Sequence, residues 1–328
     1  MKYQINIKKV KGIQNSIWDN IRETFNYRKG VGEPLPIFGH YGGVFKCGSE
    51  ELVIHTDGVG TKLLLAQELE KYDTVGIDAI AMSVNDILCV GAEPLVGVDY
   101  IALAEEDDQL VEDIMKGLVQ GARECRCAII GGETAVIPDI IKGGKKPFDL
   151  TFTVVGRMKK QILGDKIEPG NVIVGLESSG LHSNGYTLAR RTLDSKKWGA
   201  EMLKPTKIYA APVLEMIDSC QITGIAHITG GGYSKLTRLN KNVGFELNNM
   251  PKLTPIYEAM MEKVKDVVEM YKTFNMGVGM CIMVPKGEEQ KIIQIAKKHN
   301  VNASVIGKIT TKAGVKLIKE GKEYDLVI

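Results

Sequence analysis

The sequence predicts an α/β (α+β) protein made of two mixed domains. Three observations support this: a length of 328 residues, apolar runs of strand length that alternate with stretches of helical periodicity, and glycine-rich loops where strands end. One hydrophobic core stops growing at roughly 250–300 residues, so a chain of this length is expected to divide. We place the boundary in the polar stretch LGDKIEPGN, which gives an N-terminal domain of residues 1–162 and a C-terminal domain of residues 163–328.

Strands are predicted in the N-terminal half wherever a short apolar run rich in β-branched residues is bounded by Gly or an acid. These predicted strands cover residues 51–57, 93–103, 127–133 and 149–158. Helices are predicted over residues 76–91 and 107–124, because apolar residues recur there every three or four positions. Gly91 suits the C-terminal end of the first helix, and Pro94 prevents its continuation.

The C-terminal half repeats this style, and we expect a mixed sheet flanked by helices. Strands are predicted over residues 172–176, 279–284 and 304–309, with a helix near residues 287–299. The segments SSGLHSNGY and HITGGG follow apolar runs and are predicted loops. No short-period repeat is visible, so two α/β domains of related design fit better than a solenoid.

Composition and charge exclude several functional classes. With 44% hydrophobic and 25% charged residues and a net charge of +2, the chain has the profile of an ordinary globular protein. Basic and acidic residues are interleaved, so we expect no nucleic-acid or membrane-surface partner. No stretch approaches the roughly 18 apolar residues of a membrane span, and a cytoplasmic protein is expected. The six cysteines include no C-x-x-C pair and do not predict a disulfide scaffold.

The loop HTDGVGTK resembles a phosphate-binding loop with a different order of residues. Thr61 separates Gly60 from Lys62, whereas a P-loop has Lys directly after its last Gly. Gly58 and Gly60 would allow backbone amides to approach an anion, Lys62 could bind phosphate, and Asp57 could bind Mg²⁺. The alternative is a tight strand-exit turn with a capping Asp and a surface Lys.

The predicted helix with sequence GIDAIAMSVND carries a second group of polar residues. Asp78 and Asn85 are seven positions apart and nearly eclipsed, and Asp86 flanks them. A solvated helix face is the alternative, but the surrounding residues are apolar, and acids in such surroundings need a partner or a metal. The sequence therefore favours a functional role for Asp86.

The segment CAIIGGETA places a third acid at the end of a core element, because an apolar strand is predicted to end in Gly131, Gly132 and Glu133. Acids at the ends of three separate core elements could converge on Mg²⁺ and a polyphosphate. The predicted metal ligands are Asp57, Asp86 and Glu133. The predicted cofactor-binding residues for ATP are Asp57, Gly58, Gly60, Thr61, Lys62, Asn85, Asp86, Gly131, Gly132 and Glu133.

In the second half, the HSNG segment places His182 and Asn184 between a strand and a helix. His182 could exchange a proton with a reacting oxygen, and amides at the helix start would suit a phosphate. An N-cap loop with a hydrogen-bonded His is the alternative. The HITGGG segment is either a second anion loop or a flexible turn. The sequence contains neither G-x-S-x-G nor G-x-G-x-x-G, so a hydrolase elbow and a dinucleotide fold are disfavoured.

Seven segments together resemble one family of purine-biosynthesis enzymes. They are TDGVGTK, DTVGIDAIAMSVNDILCVGAEP, IIGGETA, SSGLHSNGY, PTKIYAAPVL, HITGGG and MYKTFNMGVGM, and they extend from about residue 40 to the C-terminus. They are similar to the phosphoribosylformylglycinamidine cyclo-ligases, also called aminoimidazole ribonucleotide synthetases. TDGVGTK and the VND helix occur across a wider ATP-binding superfamily that includes selenophosphate synthetase, thiamine-phosphate kinase and a hydrogenase maturation protein. SSGLHSNGY and MYKTFNMGVGM distinguish the cyclo-ligases from these other members.

This resemblance implies a homodimer that pairs through N-terminal strands, with ATP near the interface. It also implies ATP-dependent cyclisation of formylglycinamidine ribonucleotide to 5-aminoimidazole ribonucleotide, with phosphorylation of the formamide oxygen and release of ADP and phosphate. The family's metal and nucleotide acids match Asp57, Asp86 and Glu133, and its catalytic positions match Lys62, His182 and Asn184.

The chain also departs from the family pattern. The N-terminal segment matches poorly, VIPDII follows GGETA in place of the usual E-M-P-G-M-Y, and YSKLTRLN replaces the aromatic and Asn that commonly follow HITGGG. Two alternatives stay open at this point. One is another small-molecule ATP phosphotransferase of the superfamily, which the HSNG segment disfavours. The other is a non-catalytic nucleotide-binding partner, which the retained acids disfavour.

Overall fold

The computed structural model describes residues 7–37 and 39–327, and over these residues it has two sheets, each covered by helices. The predicted α/β class with mixed sheets is confirmed. The α-helices are α1 Ile7–Ile21, α2 Lys62–Leu69, α3 Val75–Cys89, α4 Asp108–Cys125, α5 Tyr186–Thr192, α6 Ser195–Met202, α7 Ala210–Ser219, α8 Pro255–Val264, α9 Val267–Thr273 and α10 Glu289–Lys298. Two 3₁₀ helices span Arg22–Tyr27 and Gly232–Arg238.

The strands fall into two groups along the chain. The first group is β1 Gly43–Cys47, β2 Glu50–Gly58, β3 Ala92–Leu103, β4 Ala128–Val136 and β5 Phe148–Met158. The second group is β6 Val172–Glu177, β7 Gly224–His227, β8 Gly244–Leu247, β9 Val278–Val284, β10 Ala303–Thr310, β11 Gly314–Lys319 and β12 Lys322–Asp325. The predicted domain boundary, between residues 162 and 163, lies in the segment that joins these two groups.

The first sheet has the order β1-β2-β5-β3-β4, with β3 and β4 parallel and its other neighbours antiparallel. Helices α3 and α4 cover one face. Helix α3 is mostly apolar and is buried along its whole length, so its few polar residues need partners inside the protein. Its first turn lies against α4, and a Cβ at Gly76 would be 2.2 Å from the backbone nitrogen of Leu118. Gly is therefore required for this close approach.

The second sheet has the order β12-β11-β8-β10-β6-β9-β7 and is antiparallel except for the β8–β11 pair. Every residue of β9 is buried, which is expected for a central strand covered on both faces. Helix α10 packs on this sheet, α7 contacts α10 as well as α3 and α4 of the first domain, and α3 contacts β7. Helix α3 therefore lies between the two sheets and carries its polar residues into the contact between the domains.

Most predicted elements are present, and the differences have local causes. The predicted helix over 76–91 is α3, and Gly91 follows it with a left-handed φ of +87°, as a C-terminal glycine should. Helix α2 was not predicted, because its apolar residues are not confined to one face. The strand predicted to end at Glu133 continues to Val136, so Gly131, Gly132 and Glu133 lie within β4 and not in a loop. None of the described helices is both long enough and apolar enough to cross a membrane.

Candidate active site

Three potential metal ligands meet where β2 faces α3. His55 and Asp57 are two residues apart on β2, so they project from the same face of the strand. Asp86 projects towards them from α3. One ligand atom from each of the three residues lies within 4.8 Å of the others, so the structure brings together the predicted pair Asp57 and Asp86.

Two histidines compensate the charge of Asp86. The Nδ1 atom of His227, from β7 in the second domain, lies 2.7 Å from Oδ1 of Asp86, and Nε2 of His55 lies 3.4 Å from Oδ2. Burial raises the pKa of Asp86, but the hydrogen bond and charge of His227 and the charge of His55 outweigh burial and lower the pKa. Burial and the charge of Asp86 raise the pKa of Asp57. A divalent cation between the two carboxylates would relieve this repulsion.

The donor set fits Mg²⁺ better than a structural zinc ion. Mg²⁺ is usually held by one or two carboxylates together with water and substrate phosphates, and Asp57 and Asp86 supply such a pair. A structural zinc site needs four protein ligands, commonly with Cys, whereas the described residues offer three candidate ligands here, His55 and the two acids. The site is therefore a candidate for a cation that is shared with a phosphate.

Four buried polar atoms around this cluster lack a hydrogen-bond partner within the described residues. They are Nε2 of His55, Nδ1 of His182, Nδ2 of Asn184 and Nε2 of His227. Buried polar groups are satisfied in more than nine cases of ten, so a group of unsatisfied atoms indicates a place for a ligand. These atoms come from β2, β7 and the HSNG loop, and the site therefore lies between the two domains.

His182 and Asn184 lie in the HSNG loop with defined hydrogen-bond partners. His182 has a left-handed φ of +60°, and its Nε2 accepts a hydrogen bond of 3.2 Å from the amide of Ser179. Burial, with the charges of nearby His227 and Lys62, lowers the pKa of His182 well below its usual value. The ring is thus neutral, and Nδ1 carries the proton and is a donor.

The HSNG loop is joined to the HITGGG loop by one hydrogen bond. Oδ1 of Asn184 accepts it from the amide of Gly230 at 2.7 Å, which leaves the Nδ2 group of Asn184 as a donor without a partner among the described residues. The two loops predicted to bind anions are therefore parts of one surface.

Lys62 lies in a different environment from the one predicted. It is fully buried, its Nζ is 2.8 Å from Oδ2 of Asp78, and it donates to the carbonyl of Lys204 at 2.7 Å. Asp78 also accepts hydrogen bonds from the amide and hydroxyl of Thr206. In this structure Lys62 joins α3 to the second domain. Its predicted role with phosphate would require it to leave these partners.

Asn85 contributes to the same contact between domains. Its Nδ2 donates to the carbonyl of Lys207 at 2.9 Å, and its Oδ1 accepts from the amide of Tyr209 at 3.0 Å. The loop ahead of Lys62 begins at the acid cluster, because the amide of Gly58, the last residue of β2, donates to Oδ1 of Asp57 at 2.8 Å. Gly60 in this loop has a φ of +72°, and Thr61 immediately precedes α2. The amides of this loop stay candidates for phosphate binding.

The single chain does not bring Glu133 to the other two acids. Glu133 is paired with Tyr100 on β3, which is paired with Thr151 on β5, and Thr151 is paired with Gly58 on β2. Three strand spacings separate Glu133 from β2, which is about 14 Å. Gly131, Gly132 and Glu133 are all exposed on the edge strand β4. Their predicted roles in metal and nucleotide binding stay predictions.

Sequence reasoning missed two residues of the cluster. His55 belongs to the HTDGVGTK loop and could have been found from the period of two along a strand, which places it beside Asp57. His227 precedes the glycines of HITGGG, but 141 residues separate it from Asp86, and no local pattern connects them.

Family models match both halves of the chain. The AIR synthase related protein N-terminal domain matches residues 39–158, and the AIR synthase related protein C-terminal domain matches residues 168–320. The chain belongs to the AIR synthase related family. Membership of this family agrees with the resemblance found in the sequence. The acid cluster belongs to the N-terminal family domain, and His227 of the C-terminal family domain contacts it.

Two archaeal members of the AIR synthase related family share much of this sequence. The phosphoribosylformylglycinamidine cyclo-ligase of Thermococcus kodakarensis is 44% identical over 319 residues, which cover 93% of each chain. The enzyme of the same name from Methanococcus maripaludis strain C7 is 47% identical over 294 residues, covering 84% of this chain and 83% of its own.

Solved structures with a similar fold are more distant in sequence. Thiamine monophosphate kinase from Aquifex aeolicus has a TM-score of 0.66 at 17% identity and covers 94% of this chain and 97% of its own. Hydrogenase maturation protein HypE in complex with ATP has a TM-score of 0.64 at 17% identity and covers 84% of each chain. At these identities the likeness shows a common fold, and it does not show a common reaction.

Proposed function

We propose that this protein is an ATP-dependent phosphoribosylformylglycinamidine cyclo-ligase of de novo purine biosynthesis. The observation that carries the proposal is the identity of 44% to a curated cyclo-ligase over 93% of both chains. A fold relative in complex with ATP supports the use of ATP. The site between the domains supports it as well, because two carboxylates suited to a cation lie beside unsatisfied buried donors and acceptors.

The reaction needs an activated oxygen more than a protein nucleophile. The formamide oxygen of the substrate attacks the γ-phosphorus of ATP, and ADP leaves. The amidine nitrogen then attacks the former formyl carbon, the C–O bond breaks, and the oxygen departs as inorganic phosphate while a proton leaves nitrogen. Phosphoryl transfer of this kind depends mainly on positioning and electrostatic stabilisation.

We assign Asp57 and Asp86 to hold Mg²⁺, which would neutralise charge on the phosphates of ATP. His227 and His55 keep Asp86 ionised through the contacts described above, so the carboxylate is ready for a cation at neutral pH. The glycine loop after Asp57 would contact phosphate oxygens through backbone amides, for which the amide of Gly58 would have to leave Oδ1 of Asp57, to which it donates at 2.8 Å.

His182 and Asn184 are the proposed substrate-contacting residues. The neutral ring of His182 would donate from Nδ1 to the oxygen that becomes phosphorylated, and Asn184 would donate from Nδ2. Both donors are pre-oriented, because each residue is held by a second hydrogen bond to a backbone amide. Such orientation favours the transition state without reorganisation during the reaction.

We further propose that two copies pair through the first sheet. The face opposite α3 and α4 carries large exposed apolar side chains on three strands, at Ile54, Val98, Tyr100 and Ile130. Contiguous apolar surface of this kind marks an interface. Pairing would also bring Glu133, on the exposed edge strand of this sheet, close to a second copy. Light scattering should give twice the chain mass, and Ile130→Asp should shift the protein towards monomer.

One assay tests the cyclo-ligase. Purified protein with Mg²⁺, ATP and formylglycinamidine ribonucleotide should form 5-aminoimidazole ribonucleotide and ADP in equal amounts. His182→Ala should lower kcat by roughly 100-fold while the Kd for ATP changes little, as expected for loss of one oxyanion donor. ADP formation that accompanies phosphorylation of the ribonucleotide without ring closure would contradict the proposal and indicate a small-molecule kinase.

A further inference from the structure

Lys235 lies over the glycine loop that borders the proposed site. It is the fourth residue of the 3₁₀ helix that begins at Gly232, and its Nζ lies 3.2 Å from the hydroxyl of Thr229. Its side chain crosses Gly231, where an added Cβ would be 3.3 Å from Cε of Lys235. Gly231 also has a left-handed φ of +91°. Because Gly231 has no Cβ, the side chain of Lys235 can pass over it and reach Thr229, just after β7.

The ammonium group of Lys235 has no carboxylate within ion-pair distance among the residues that the structure describes. Two other inward-facing lysines differ in this respect, because Lys62 pairs with Asp78 and Lys207 pairs with Glu177, each at 2.8 Å. Burial and the nearby charge of Arg238 lower the pKa of Lys235 to about 8, although Asp86 and Asp57 favour its charged form. Lys235 is partly buried, and a partly desolvated cation without a counter-ion is a favourable place for an anion.

The neighbours of Lys235 belong to the proposed active site. Its hydrogen-bond partner Thr229 is two residues from His227, which contacts Asp86, and the next residue, Gly230, is tied to Asn184. The carboxylates of Asp57 and Asp86 are close enough to act on its charge. The site thus combines carboxylates suited to a cation with an ammonium that has no carboxylate within ion-pair distance among the described residues, and a metal-bound phosphate would use both.

We propose that Lys235 binds a phosphate group of one of the two reactants, either the triphosphate of ATP or the 5′-phosphate of the ribonucleotide. This inference deepens the proposed function and relies on it for the identity of the two phosphates. Lys235 lies in the segment YSKLTRLN, where the chain departs from the family pattern, and the sequence did not single it out. Its ammonium would supply a positive point charge to the phosphate in addition to that of a bound cation.

Three variants test the proposal. Lys235→Met removes the charge and keeps the apolar stem, Lys235→Arg keeps a cation, and Lys241→Met is the control at an exposed lysine six positions further along. Isothermal titration calorimetry would measure the binding of Mg·ATP alone and of the ribonucleotide alone, and steady-state assays would measure both KM values and kcat.

We expect Lys235→Met to weaken the binding of one reactant by about 10- to 100-fold, as for loss of a charge-assisted hydrogen bond, with a smaller effect on the other reactant. The affected reactant identifies which phosphate is bound. If Lys235→Met lowers the affinity 100-fold, Lys235→Arg should bind the same reactant at least tenfold more tightly than Lys235→Met. Lys241→Met should bind both reactants with the affinity of the parent protein. Equal affinities of Lys235→Met and the parent for both reactants would overturn the proposal.

The melting temperature separates binding from a structural role. Replacing a partly buried cation that has no carboxylate partner by an apolar side chain removes part of a desolvation cost, so Lys235→Met should melt at the same or a higher temperature than the parent. A lower melting temperature together with unchanged binding would assign Lys235 to the fold and refute the proposal. The binding measurements need no turnover, so a parent protein that binds both reactants without forming product would contradict the cyclo-ligase and still test Lys235.

Discussion

Replacing Lys62 by Met tests whether this lysine joins the domains or serves the nucleotide. In the structure its ammonium is buried between Asp78 and the carbonyl of Lys204. Met keeps most of the apolar stem and removes the charge. The substitution therefore leaves Asp78 as a buried carboxylate without its counter-ion, and it leaves the carbonyl of Lys204 without this donor.

The expected loss of stability follows from what Asp78 retains. Its Oδ1 keeps three donors, the amide and hydroxyl of Thr206 and the hydroxyl of Ser183, whereas Oδ2 has only the ammonium of Lys62 at 2.8 Å. Removing one partner of a buried ion pair costs roughly 3–5 kcal/mol. Because one oxygen stays satisfied and the other does not, we expect Lys62→Met to lower the free energy of unfolding by about 4 kcal/mol.

Urea unfolding followed by circular dichroism measures this change, and a matched control is available. Lys71 pairs with Asp73 at 3.0 Å on the surface, with both side chains about half exposed, so Lys71→Met should cost less than about 1 kcal/mol. Adding Asp78→Asn to Lys62→Met should recover part of the loss, because the unpaired charge is removed. Unchanged stability of Lys62→Met together with a tenfold higher KM for ATP would refute this reasoning and support the role predicted from the sequence.

Three further predictions follow from the site and the fold. Asp86→Asn should lower kcat by roughly 100-fold or more in Mg²⁺ while the melting temperature changes little, and full activity would remove Asp86 from the proposed cation site. Affinity for the phosphate that Lys235 binds should fall about tenfold per pH unit as the pH rises above about 8, because the free protein then carries a neutral amine. Lys235→Arg should abolish this pH dependence, since guanidinium stays charged. Gly76→Ala should lower the free energy of unfolding by more than about 3 kcal/mol, because its methyl group would overlap the backbone of α4, whereas Gly12→Ala, with open space around it, should be neutral or stabilising.

Local pattern was sufficient for most of the fold and for two of the three potential metal ligands. The strands around Asp57 and the helix that carries Asp86 were predicted from periodicity and bounded by Gly and Pro, because these signals act within one element. The same local reasoning failed for Glu133, since it treated the glycines before it as the end of a strand that in fact continues to Val136. Gly is compatible with a strand interior as well as with a loop, so composition alone could not decide.

The sequence by itself determined the element types, the family and the identity of the acids available for a cation. Only the tertiary structure decided which partners these residues have. Lys62 pairs with Asp78, sixteen residues away, instead of facing solvent, and His227 reaches Asp86 from another domain. Such contacts depend on how two separately folded sheets dock against α3, and the free energy of docking is a property of whole surfaces. The periodicity of any one segment therefore does not predict how the two sheets dock.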